Sequence, residues 1–484
     1  MKEWWPYILI ALEIIYVIVA VLVAAKIIKD TRTTSKTLAY LLLIIFLPVA
    51  GIIIYFVFGV NYRKNKFYDF KIERNEKIYN QVVDYITQTN QRVLNEHKEK
   101  LLPYESLISF LFNTSKSPVV EGNQVEVLQN GEEKFKKVFE VISRAKHHIH
   151  LEYYIYENDT IGNQLADLLM QKAAEGVEVR FLYDALGSGR IKKKFVKRMK
   201  ESGVHIAPVN KIRFRLLANR INYRDHRKII IVDGREAFTG GINVSDKYIN
   251  NGKNKIYWRD THLYVNGPGI FYLQYLFLSN WVFATKKMLE PKKEYLNDSI
   301  GPGNKIMQVA SSGPDTKPAI LYSTVSAIFT AKKRLYITTP YFIPLDTVLI
   351  AIKHASNSGV DVRLIVPETS DSKFVNAAAY SYYDELLAAG VRVFLYTKGF
   401  VHAKTMIVDD ELSMVGTANM DVRSHEMNFE VNALVYDSGI NHQLADAFEK
   451  DLEDCREIKY EEWSQRNKWK IFFEHLARLL SPLL

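Results

Sequence analysis

Two short stretches hold residues that could do chemistry together. In Asn222–Gly234, NYRDHRKIIIVDG, His226 and Lys228 stand two apart at the head of an apolar run closed by Asp233. In Phe400–Asp410, FVHAKTMIVDD, His402, Lys404 and Asp409 repeat the order and spacing. Alternate residues of a strand share a face, so each histidine points the same way as its lysine, and each aspartate points away. An asparagine follows each histidine by 17 residues behind a glycine turn, Asn243 in GGIN and Asn419 in GTAN. One such match arises by chance; two at matching offsets do not. Histidine acts as a nucleophile toward phosphorus and as a general acid or base near neutral pH. Lysines and amides hold phosphodiester oxygens without a metal. Two histidines thus divide a two-step transfer: one attacks, the other gives and takes the proton.

The elements that must position these residues also come in pairs. AKHHIHLEYYIY (Ala145–Tyr156) parallels AKKRLYITTPYF (Ala331–Phe342), and AAEGVEVRFLYD (Ala173–Asp184) parallels ASNSGVDVRLIV (Ala355–Val366). KESGVHIAPV (Lys200–Val209) parallels LAAGVRVFLY (Leu387–Tyr396), at offsets like that between the two histidine motifs. Helix-like segments end at glycine and lead into short β-branched runs, the pattern of buried strands beneath helices. The expectation is α/β, with two homologous domains at 119–300 and 301–484. A charged helical connector over 61–118 precedes them. After them, Trp469, Phe472, Phe473, Leu476, Leu480 and Leu483 mark an amphipathic helix, read as docking on the core in preference to lying on a membrane.

The N-terminus has a different composition. Residues 4–25 carry one charge, Glu13, and residues 38–60 carry none; each run is about long enough to cross a bilayer. A two-helix transmembrane hairpin over 1–60 is expected, kinked near Pro48 and Gly51, with Glu13 facing the other helix or reaching toward the interface. Basic residues flank both spans, Lys26, Lys29, Arg32 and Lys36 in the loop and Arg63, Lys64, Lys66 and Lys71 beyond, so charge does not fix the orientation. One cysteine, Cys455, excludes an intrachain disulfide framework and fits catalytic domains facing a reducing compartment. The net charge of +10 points to anionic partners.

The doubled motif with its asparagines, flanked as YRDHRKIIIVDGREAFTGGIN and HAKTMIVDDELSMVGTANMDVRSHEMNFE behind two apolar runs, resembles the bacterial cardiolipin synthases of the phospholipase D superfamily. The resemblance covers nearly the whole chain. It implies two phospholipase D-like α/β domains, mixed sheets flanked by helices, sharing one cleft. It makes His226 the nucleophile and His402 the acid and base, roles that the residues alone leave exchangeable. Lys228, Lys404, Asn243 and Asn419 would hold phosphoryl oxygens, and Asp233 and Asp409 would be structural. A downstream carboxylate would orient each histidine: Glu430, 28 residues after His402, and Asp260, 34 after His226. The implied reaction passes a phosphatidyl group from one phosphatidylglycerol to another, giving cardiolipin and glycerol, with no cofactor or metal. The implied setting is the bacterial inner membrane, multi-pass, with the catalytic domains on the cytoplasmic side. The rivals are a hydrolase with water as acceptor and a membrane-tethered nuclease; two spans argue against nucleic acid as partner.

Two further features invite readings. HHIH (His147–His150) suggests a metal, but no Cys or carboxylate pattern of zinc spacing accompanies it. Glu152 lies on the same strand face and either lines the cleft or serves as a solvated or capping residue. The basic stretch from Arg190 to Lys228 mixes a solvated helix face with Arg beside Phe, Leu and Ile, a surface suited to anionic lipid headgroups.

Overall fold

The computed structural model describes residues 4–30, 34–56, 83–210, 223–252, 256–287, 289, 292–295, 301–479 and 481. The chain forms two units, residues 1–73 with 212–223, and residues 74–211 with 224–484.

In the first unit, α1 (Trp5–Asp30) is an uninterrupted helix, long and apolar enough to cross a bilayer. The second apolar run is divided between α2 (Thr34–Phe46) and α3 (Pro48–Ile54). Pro48 has no N–H for the ladder, so the helix stops at Leu47 and restarts. Gly51 is buried at the bend, where a Cβ would meet the Leu43 carbonyl oxygen at 2.4 Å. The Tyr16 hydroxyl donates to the Ile44 carbonyl, and Val23, Ile27, Ile44 and Tyr55 pack together, joining α1 to α2. Glu13 is exposed, so it does not face the neighbouring helix. Arg32 and the basic residues from Arg63 to Lys71 lie outside the described residues, as do residues 57–60, and the side chain of Lys36 is not described.

The second unit is built on one continuous sheet. The first half supplies β1 (Val120–Gln129), β2 (His148–Tyr153), β3 (Glu178–Asp184), β4 (His205–Val209), β5 (Lys228–Val232), β6 (Glu236–Gly240), β7 (Tyr257–Arg259) and β8 (Thr261–Asn266). The second half supplies β9 (Lys305–Ser312), β10 (Arg334–Thr338), β11 (Phe342–Ile343), β12 (Asp361–Pro367), β13 (Arg392–Tyr396), β14 (Gly399–Val401), β15 (Thr405–Val408), β16 (Leu412–Gly416), β17 (Met420–Asp421), β18 (Glu430–Tyr436) and β19 (Cys455–Ile458). Fifteen of these run in the order β19-β13-β12-β10-β15-β16-β18-β9-β1-β8-β6-β5-β2-β3-β4. Read outward from the β1–β9 seam, both halves give the same sequence of strands, with β19 as an extra edge. Parallel pairs lie at the outer strands and antiparallel pairs near the seam, with the extra edge β19 antiparallel to β13, so the sheet is mixed.

Each half has its own apolar core between sheet and helices. The connector is not a free spacer: Val93, Leu107, Ile108 and Leu111 from its described helices belong to the core of the second half. The C-terminal helix Lys468–Arg478 also docks there, but through Ala477 and Glu474, while Trp469, Phe472, Phe473 and Leu476 are exposed. The apolar stripe expected to pack on the core therefore faces outward; Leu480 and Leu483 lie outside the described residues.

Candidate active site

The two motif strands, β5 and β15, occupy equivalent positions on either side of the seam, and both are wholly buried. Their entry residues are clasped by the opposite half. The His226 N–H donates to the Phe429 carbonyl at 2.9 Å, and the Phe429 N–H returns a bond to Arg224. In the mirror position β14 pairs with β7, and the His402 N–H donates to the Arg259 carbonyl. Each histidine is thereby placed beside the residue that follows its partner: Glu430 for His226, Asp260 for His402.

The side chains complete the exchange. Nδ1 of His226 lies 2.9 Å from a Glu430 carboxylate oxygen, and Nδ1 of His402 lies 2.6 Å from Asp260. The pairs expected from the sequence, Glu430 with His402 and Asp260 with His226, lie within each half. The structure crosses them, because β6 and β8 lie against β16 and β18, which brings the head of β8 to the second histidine and the head of β18 to the first.

The carboxylates sit in unequal surroundings. Burial raises the Glu430 carboxyl, but His226, Lys228 and the Thr417 hydroxyl outweigh it and hold it below its ordinary value. For Asp260 burial wins, and its pKa rises to about 7 despite Lys404, the Thr261 N–H and Lys228. The glycine turns carry part of this difference. A Cβ on Gly241 would stand 2.0 Å from the Asp260 carboxylate, so this position must be glycine; Thr417 is its counterpart and uses the space for a hydroxyl bonded to Glu430.

Burial lowers both histidines. His226 is partly restored by Glu430, whereas Lys404, Lys228, Lys247 and His226 all push His402 further down. Charges from the two halves thus act on one another within a single cleft. The ammonium groups of Lys228 and Lys404 donate to the carbonyls of His226 and His402, which leaves further donors on each. Burial draws Lys228 down to about 7 and Lys404 to about 8. Asn243 accepts from the Ile155 N–H and donates to the Tyr248 hydroxyl; Asn419 donates to Asp421. One amide hydrogen of each is committed to the protein.

Asp233 and Asp409 face away from the cleft. The Asp233 carboxylate accepts from the N–H groups of Lys146, His147 and His148, and Asp409 from those of Lys332, Lys333 and Arg334. Both aspartates adopt positive φ, 53° and 49°. Each pins the start of a neighbouring strand, β2 or β10, to the end of its motif strand.

Some neighbours carried no signal in the motif. The Tyr154 ring stands edge-on to His226, and Tyr248 and Trp258 border His402. Glu152 does not meet solvent: it is buried, accepts from Asn280, and faces Asp225, whose carboxyl is raised well above its usual range by burial and by Glu152. The His148 and His150 rings meet at a tilt and stand edge-on to Tyr295 in the core, with His150 stacked on Phe277, and burial pushes both toward the neutral form, His148 to about 3. Among the described residues the acid–imidazole group with metal-like spacing is Glu96, His97 and Glu121, where Arg92 already pairs with Glu121. Lys193–Glu201 is a largely solvated helix, and residues 211–222 of the basic stretch lie outside the described residues.

Comparison with known proteins agrees with this geometry. Residues 138–260 and 324–452 match the family described as "Cardiolipin synthase, PLD-like domain", and residues 18–59 match "Phospholipase_D-nuclease N-terminal". The chain is 40% identical over 484 residues to the "Major cardiolipin synthase ClsA" of Bacillus subtilis, covering 98% of this chain and 99% of that one. It is 39% identical over 478 residues to "Cardiolipin synthase 2" of Bacillus anthracis, covering 97% and 91%. A solved phosphatidylserine synthase from Haemophilus influenzae shares the fold with a TM-score of 0.60 at 16% identity, over 78% of this chain and all of that one. Two crossed histidine–carboxylate pairs on a doubled sheet, a matching N-terminal segment and near-full-length relatives lead to one assignment: the chain belongs to the cardiolipin synthase family of the phospholipase D superfamily.

Proposed function

We propose that the cleft transfers a phosphatidyl group between two phosphatidylglycerol molecules through a phosphatidyl-histidine. Nε2 of His226 attacks phosphorus, the bond to the departing glycerol oxygen breaks, and His402 protonates that oxygen. A terminal hydroxyl of the second phosphatidylglycerol then gives its proton to His402 and attacks phosphorus, the P–N bond breaks, and cardiolipin leaves. Glu430 stays anionic and holds the Nδ1 proton of His226, which frees the Nε2 lone pair for attack. Asp260 orients His402; the phosphate brings negative charge into the cleft and raises the proton affinity of His402 for its acid role. Lys228, Lys404 and the side-chain amides of Asn243 and Asn419 balance the charge that develops on the phosphoryl oxygens.

The crossed pairing of His226 with Glu430 and His402 with Asp260 is the observation that carries this reading, since it makes one two-histidine centre out of two half-sites. The chain acts as a multi-pass protein of the bacterial inner membrane with this unit on the cytoplasmic side, where both lipids are at hand. Liposomes of phosphatidylglycerol, without added metal, test the proposal: cardiolipin and glycerol in equal amounts are expected. Phosphatidic acid in place of cardiolipin would reassign the acceptor to water.

A further inference from the structure

The C-terminal helix Lys468–Arg478 is turned the wrong way for a soluble protein. Its inward face holds Ala477, Arg478 and Glu474. Both Nη atoms of Arg466 donate to the Glu474 carboxylate at 2.9 Å, and Arg478 reaches Glu385 at 2.8 Å and lies over the Tyr382 ring. Its outward face holds Trp469, Phe472, Phe473, Leu476 and Leu479, with Trp469 74% and Phe473 61% exposed. Ordinary packing would bury the aromatic face and solvate the charged one. Here, among the described residues, the protein engages the charged face and leaves the aromatic one exposed.

We infer that this helix lies on the anionic bilayer surface, as an interfacial contact additional to α1. Three observations favour a membrane over a second copy of the chain. Lys468, Lys470 and His475 are exposed beside the apolar stripe. Glu474, the single acid from Lys468 to the C-terminus, is turned inward and neutralised by Arg466. The chain carries a net charge of +10, which opposes self-association and favours an anionic surface. Aromatic and aliphatic side chains on one face with basic residues at its edges are the composition of helices that settle at the headgroup boundary. The contact does not depend on which histidine is the nucleophile, nor on the acceptor.

The full-length protein, with Cys455→Ser as background, is labelled with an environment-sensitive fluorophore through Phe472→Cys, or separately Leu476→Cys, and reconstituted in phosphatidylglycerol vesicles. A label at Glu175→Cys, an exposed polar site, is the reference. Both helix labels are expected to be quenched at least about twofold by a quencher on the upper acyl chain and shielded from iodide, with the effect falling several-fold in pure phosphatidylcholine. Iodide access equal to that at position 175 would overturn the inference. So would shielding without lipid quenching that grows with protein concentration, which would make the occupant a second copy. Two labels on one face guard against local misfolding at either, and cardiolipin formation by the unlabelled protein is measured separately, so a failed contact and a failed reaction are distinguishable.

Discussion

Nδ1 of His226 and the Glu430 carboxylate meet at 2.9 Å although 204 residues separate them, and each comes from a different half of the sheet. Neither half contains a complete histidine–carboxylate pair. Glu430→Gln keeps the shape but removes the charge that fixes the His226 tautomer. It should lower the turnover rate by about 10²- to 10⁴-fold with the fold retained, by the logic of oriented catalytic histidines. Initial rates of cardiolipin formation, read beside circular dichroism, decide this; a loss under about threefold would remove Glu430 from the mechanism.

The division of labour between the histidines can be trapped. His402→Ala lacks both the proton for the departing oxygen and the group that activates the second alcohol; with a phosphatidyl ester whose leaving group needs no protonation, protein quenched in alkaline denaturant, where the P–N bond survives, should carry a phosphatidyl adduct on His226, seen by peptide mass spectrometry. An adduct on His402 in a His226→Ala chain, with none in His402→Ala, would exchange the roles.

Binding of an anion should be linked to proton uptake. Lys228 and Lys404 are held near 7 and 8 in the empty cleft by burial, and a bound phosphate analogue favours their charged forms. At pH 8 the free cleft has lost part of this charge, so binding of vanadate should take up protons, and kcat/KM should fall on the alkaline side of these values. Calorimetry in buffers of different ionisation enthalpy gives the sign; proton release would contradict the assigned role of the lysines.

Gly241 has no room for a side chain. Gly241→Ala places a methyl group 2.0 Å from the Asp260 carboxylate and should displace it from His402, with a loss of activity about as large as that of Asp260→Ala. Thr417→Val tests the counterpart: it removes one hydrogen bond to Glu430 and should cost only about tenfold in rate. Equal activity of Gly241→Ala and the parent chain would mean that Asp260 does not position His402.

Asp233→Ala should destabilise the protein by about 2–3 kcal/mol by abandoning three backbone N–H donors. Asp233→Gly should be milder by about 1 kcal/mol, because glycine accepts the positive φ at no steric cost. Thermal unfolding in detergent separates the two, and identical midpoints would show that backbone strain is not at stake here.

Much of this protein was legible in its sequence, because the information is local and repeated. Period-two alternation places His226 with Lys228 and turns Asp233 away; duplication at matched offsets announces two halves; unbroken apolar runs announce α1 and the stretch that becomes α2 and α3. What the sequence could not decide is which distant residue meets which. Asp260 and Glu430 were visible as carboxylates at useful offsets, but their exchange between the halves follows from the β1–β9 seam and the packing of β6 and β8 on β16 and β18, contacts that no spacing encodes. The orientation of the C-terminal helix is a second case. Its periodicity shows an apolar face but not the direction of that face, and only the pairing of Glu474 with Arg466 and of Arg478 with Glu385 turns it outward. Residue type and periodicity determine chemistry and local geometry; partners far apart in sequence are selected by tertiary packing, where burial makes the choice between alternatives costly to reverse.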